Sequence, residues 1–129
     1  MKTQKHIAAV PESGVEVVLE GNLTRIFFDF TDPEPREDAE EPIPADIKVC
    51  ENVDVESRSY GDIVSAIIND HYSADANQAL NANRELAKDP DSGISEQKRE
   101  EYLAEYAAYQ EWRAHAKKIA SIVIATIAE

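Results

Sequence analysis

Residues 95–129 constrain this chain more than any other stretch, because they alone combine a helix start, sustained helical periodicity and no breaker before the end. Tyr102, Tyr106, Tyr109, Arg113, Ala116, Ala120, Val123 and Ile127 alternate spacings of four and three, which sets them on one seam of a helix. Trp112, His115, Ile119, Ile122 and Thr126 form a second row that widens the apolar face. A helix of roughly 30 residues is about 45 Å long, more than a domain of this mass needs for its own core. Its end, with Ile119, Ile122, Val123, Ile124 and Ile127, is apolar nearly all the way round, so the pattern predicts burial by other elements or by another chain.

The first half of the chain reads as β. Val15, Val17 and Leu19 alternate with Glu16, Val18 and Glu20, Gly21-Asn22 supplies a hairpin turn, and residues 23–30 return with β-favouring side chains. Ile26, Phe28 and Phe30 are expected on one face, with Arg25, Phe27 and Asp29 on the other. Residues 6–10 are expected to add an edge strand. Alternation resumes over residues 47–55, with Ile47, Val49, Val53 and Val55 inward and a bulge near Cys50 and Asn52. Between these strands, residues 32–46 carry four prolines and seven acids against the single base Arg36, a composition that predicts an extended, solvated loop.

The period then changes from two to 3.6. Tyr60, Ile63, Val64, Ile67, Ile68, His71 and Tyr72 predict a helix over 59–71, capped by Ser57 or Ser59 with Asp62 in its first turn. Ser73 opens a second helix over 74–88, with Ala79, Leu80, Asn83 and Leu86 or Ala87 inward and Asn77, Asn81 and Arg84 on its outer face. A turn over 89–93 follows, and Ser95 caps the long helix. The expected architecture is α+β: a single domain, 1–129, whose small antiparallel sheet in the β part (1–58) packs against two short helices and one long C-terminal helix in the helical part (59–129).

Acids outnumber bases 26 to 13, and both halves share the excess, so no basic stripe exists to release counterions from nucleic acid. Solubility accounts for that balance, and a basic partner or mimicry of nucleic acid is the sharper alternative. The lone Cys50 cannot form an internal disulfide, residues 1–10 show no apolar signal core, and no apolar run is long enough to span a membrane. Neither nucleic acid nor membrane is an expected partner.

Catalytic and metal signatures are weak. His6, His71 and His115 are scattered over different elements, and with Cys50 they show no zinc spacing. Asp70 and His71 are neighbours whose directions on a helix differ by about 100°, so a dyad is not expected of them. Asp89, Asp91, Gly93 and Glu100 occupy positions 1, 3, 5 and 12 of a calcium loop, but Ile94 stands where that loop requires glycine. With no phosphate-binding loop or nucleophile elbow either, the expectation is no enzyme, no catalytic residue, no cofactor and no metal.

The run from Tyr60 through Ile68, then Tyr72-Ser73-Ala74-Asp75, Ala79 and Asn83, and finally Tyr109-Gln110-Glu111-Trp112-Arg113 and Ala116-Lys117-Lys118, resembles small phage and prophage proteins of gut bacteria encoded near tail genes. The resemblance spans roughly residues 47–120, while the acidic stretch 32–46 and the apolar end 119–127 depart from it. In layout, a small β part followed by a C-terminal helix with a Trp-Arg pair, the chain is distantly similar to tail-fibre assembly chaperones, from which no catalytic residue carries over. The resemblance implies a non-enzymatic tail or tail-fibre protein, virion component or chaperone, made in the host cytoplasm and binding a phage protein or itself through the long helix. Tyr106, Tyr109, Trp112, Ile119, Val123 and Ile127 are the expected anchors. The alternative is an acidic inhibitor that presents residues 32–46 to a basic cleft.

Overall fold

The computed structural model describes residues 1–34 and 43–129. Four strands, β1 (Lys2–His6), β2 (Val15–Glu20), β3 (Leu23–Thr31) and β4 (Ile47–Val55), precede three helices, α1 (Tyr60–His71), α2 (Ala74–Lys88) and α3 (Glu96–Ala128). The sheet is antiparallel throughout, in the order β1-β4-β3-β2, so the expected α+β architecture is present. The acidic proline-rich stretch falls largely on residues 35–42, outside the described residues.

The hairpin forms as its pattern dictates, with Gly21 at φ +58 in the turn and Val15 opposite Phe28 at the far end. Thr24, Ile26 and Phe28 on β3 lie opposite Val55, Val53 and Glu51 on β4, and all six are buried on the face that the helices cover. Two strand expectations need correction. The edge strand is Lys2–His6, not residues 6–10; its side chains are polar and its place is set by backbone pairing, Lys2 with Glu51 through His6 with Ile47. The bulge is on β3, where Phe28 pairs with Glu51 but Thr31 already pairs with Val49, and Asp29 takes φ +55. Phe30 thereby falls out of step with Ile26 and Phe28 and is half-buried.

Each helix starts on the serine expected to cap it. The Ser59, Ser73 and Ser95 hydroxyls accept from the backbone N–H of Asp62, Ala76 and Lys98 at 3.2, 3.2 and 3.1 Å. α1 packs Ile63 and Ile67 between β4 and α3. The 33 residues of α3 divide in two. Its second half lays Ala116, Ile119, Ala120 and Val123 into the core with Phe28, Ile26 and Val15. Its first half pairs with α2, which packs chiefly on α3 rather than on the sheet. With a single neighbour helix among the described residues, the inward stripe of α2 is narrow: Ala76, Leu80 and Asn83 are half-buried, Ala87 rather than Leu86 is the buried member of that expected pair, and Ala79, expected inward, is exposed. Asn77 and Arg84, expected outward, are half-buried, and Arg84 lies over the Tyr106 ring at 4.5 Å. Among the described residues, no helix is long and apolar enough to cross a membrane.

The two halves of α3 should respond differently to truncation of an apolar side chain. Ile119→Ala, at a site 4% exposed, should cost about 2–4 kcal/mol. Leu103→Ala, at a site 44% exposed, should cost less than about 0.5 kcal/mol. Urea unfolding of the two variants measures the contrast.

Candidate functional site

The six expected anchors separate on inspection of their surroundings. Ile119 and Val123 are buried in the chain's own core with the sheet and α1, and Tyr109 is buried beside Tyr72 and Tyr106, so these three have no face left for a partner. Trp112 and Ile127 are half-buried against the same body, and Tyr106 is half-buried beside Arg84 of α2. The apolar end of α3 is therefore largely core, and the outward surface of this helix lies in its first half instead. There Leu103 on α3 and Leu86 on α2 are 44% and 42% exposed, and no residue of α3 before Tyr109 is buried. Arg99 closes this arm by donating to the carbonyl of Ala87 at 2.7 Å, near the end of α2.

Trp112 is the hub of an aromatic belt beneath the arm. Its Nε1–H donates to the carbonyl of Ile67 at 3.0 Å, and its ring stacks on His71 at 3.7 Å with planes 3° apart. Phe28 and His115 approach it at 6.2 and 5.6 Å, and one turn earlier Tyr109 meets Tyr72 edge-on at 4.9 Å. The two histidines of the belt each meet carboxylates of their own.

The His115 Nε2 lies 2.8 and 3.1 Å from the oxygens of Asp29, the residue at the β3 bulge. A non-glycine residue at positive φ carries backbone strain, and here its effect is to bring the carboxylate to the imidazole. The pair borders a cleft of about 220 Å³ lined by Val10, Ser13, Phe30, Lys118 and Ile122. Ser13 is held within its own turn by two 3.3 Å bonds with the backbone of Val15, so its hydroxyl is not paired with the imidazole as a nucleophile would be. Both members of the Asp29–His115 pair are substantially exposed, which limits what it adds to stability.

Around His71 the structure gathers what the sequence reading kept apart. Glu51 Oε2 lies 3.2 Å from His71 Nε2 and 3.1 Å from the Met1 ammonium, and that ammonium also contacts Asp70 Oδ2. Asp70 Oδ2 stands 3.8 Å from His71 Nε2: although the two are helix neighbours, both side chains lean to the same point beside Glu51. Glu51 is not among the residues expected inward on its strand, because a carboxylate ordinarily stays in water. Its position is in phase with Val49, Val53 and Val55, so strict alternation already assigned it to the covered face. Burial pushes the Glu51 carboxyl up, but the Met1 ammonium and the His71 ring outweigh it and hold the group below its ordinary value. Desolvation pulls the Met1 ammonium down, and the carboxylates of Asp70 and Glu51 outweigh that and raise it.

The remaining candidates are structural. Cys50 is buried on the opposite face of the sheet, where burial pushes its thiol up and away from reactivity. In the turn after α2, the Asp89 carboxylate accepts from the Asp91 N–H at 2.9 Å, an ordinary Asx turn.

A depressed folded value means that Glu51 stabilises the fold fully above its ordinary range and ceases to do so as pH falls through the lowered one. Urea midpoints should accordingly drop on acidification through the carboxylate range, and Glu51→Gln should flatten that drop while lowering stability at neutral pH. A variant whose acid limb follows the parent chain would place the effect elsewhere. Comparison of the chain with protein-family models, curated proteins and solved structures found no match.

Proposed function

We propose that this chain is a non-enzymatic protein of a phage tail or tail fibre, a virion component or an assembly chaperone, that works by docking onto another protein through the α2–α3 arm. The observation that carries the reading is the arm itself: two helices paired with each other, with no third layer over them among the described residues and with leucines turned to solvent on both. A lone helical pair buries little. Only Ala87 on α2, and nothing on α3 before Tyr109, is buried, so a third surface laid on the arm adds apolar contact that the isolated chain lacks. The phage context comes from the sequence resemblance, which covers α2 and the Tyr109–Arg113 segment at the base of the arm.

Placing the contact on the arm relocates it from the apolar end of α3, and this changes the useful experiment. Deleting residues 119–129 removes core and would abolish binding by unfolding the chain. Leu86→Glu combined with Leu103→Glu leaves the core intact and puts charge on the exposed arm. Pull-down from a host expressing the neighbouring tail genes should recover a tail or fibre protein with the parent chain, and recovery should fall at least tenfold with the double variant at unchanged circular dichroism. Equal recovery by both chains, or recovery of no tail protein at all, would rule the reading out.

A further inference from the structure

Glu51, from the middle of β4, meets Asp70 and His71, from the end of α1, so that Oε2, Oδ2 and Nε2 all lie within 4.8 Å of one another. The Glu51 side chain is 6% exposed, and its Oε2 makes no contact of hydrogen-bond geometry among the described residues. A carboxylate oxygen so deeply placed needs a positive charge against it. The Met1 ammonium stands there, in contact with both carboxylates, so the cluster already holds a cation.

The geometry also suits a smaller and more highly charged one. A tetrahedral ion with bonds of about 2.1 Å holds its ligand atoms about 3.4 Å apart. The two separations to His71 Nε2 are 3.2 Å from Glu51 and 3.8 Å from Asp70, on either side of that value. One imidazole with two carboxylates selects zinc, cobalt or copper over magnesium and calcium, which favour oxygen alone. The ligand ring is also oriented from behind, since His71 stacks on Trp112 and Trp112 is fixed by its bond to Ile67. We propose that Glu51, Asp70 and His71 bind a divalent transition-metal ion, which displaces the Met1 ammonium and leaves one coordination position to solvent.

Trp112 is the chain's only tryptophan and lies against the proposed ligand, so its fluorescence reports on the site. Titration of the full chain with Cu²⁺ should quench it saturably at one ion per chain, and a large excess of Zn²⁺, which such a site binds less tightly, should reverse the quench. Asp70→Asn, at a ligand far less buried than Glu51, should weaken the quench at least about tenfold, as should His71→Phe, which keeps an aromatic ring on Trp112. Residues added ahead of Met1 should not weaken it, because the ammonium is the group displaced. His115→Ala is the control, since His115 is 5.6 Å from Trp112 in the other cluster. The proposal is overturned if neither Asp70→Asn nor His71→Phe changes the quench, if His115→Ala abolishes it, or if neither ion affects the fluorescence of the parent chain. None of these outcomes depends on the arm or on a phage partner.

Discussion

The seating of the second half of α3 on the sheet is the contact on which the other elements depend. Ala116 and Ala120 are fully buried there, and side chains this small let the helix backbone come close to α1 and the strands while Ile119 and Val123 fill the space on either side. α1 brings only Ile63 and Ile67 to full burial and packs at β4; the β2 side of the sheet, with Val15 and Phe28, is covered by α3. Burial of side chains of this size stabilises by about 1.5–3 kcal/mol each, so a shift of α3 would expose most of the core at once. The same seating fixes Trp112 and His115, which belong to the helix segment entering the core, and so it places the aromatic belt as well.

Much of this was legible in the sequence because it was written in local chemistry. Three serines with acids in the turns that follow, a Gly-Asn hairpin and the change of period near residue 59 gave element boundaries close to those observed. What could not be read was whatever depends on a distant partner. β1 carries no apolar alternation, because β4 holds it by backbone bonds. The bulge at Asp29 leaves no mark on composition, since it is a register shift between two strands that both look regular. An apolar helix end likewise looks the same whether a foreign chain or its own sheet covers it, and Ile119 and Val123 turned out to face the sheet. Glu51 is a different case: strand parity pointed inward, residue type pointed outward, and parity prevailed.

Residue type ordinarily prevails, because a carboxylate on the covered face of a sheet loses its hydration. Glu51 sits opposite Phe28 in register, and an apolar side chain there would extend the core of Phe28, Val53 and Ile67 at no electrostatic cost. The carboxylate is tolerated because two nitrogen groups and the end of α1 converge on it at the rim of the core, where the sheet edge is thin enough for the Met1 ammonium to reach. Trp112 touches both groups, stacked on His71 at 3.7 Å and 5.6 Å from His115, so the two histidine–carboxylate contacts share one aromatic neighbour. Replacing the whole charged group by packed apolar side chains would change stability little, whereas removing one partner alone leaves the others uncompensated and destabilises.

The division of α3 also sets where the molecule can move. Around its second half the sheet, α1 and the helix are cross-packed, so opening any one of them exposes the others and the unit behaves cooperatively. Along its first half the helix has, among the described residues, α2 alone beside it, held by the Arg84–Tyr106 contact, the Arg99 bond to Ala87 and the narrow stripe around Leu80. Free energy of local opening should therefore rise from the Asp89 turn toward Tyr109, where the Tyr72 ring closes the joint between arm and body. A surface that covers the arm would remove this gradient, ordering the pair at some entropic cost and gaining the apolar contact that the isolated pair lacks. Docking and stiffening of the arm would then be one event, and the body beneath could remain unchanged while it happens.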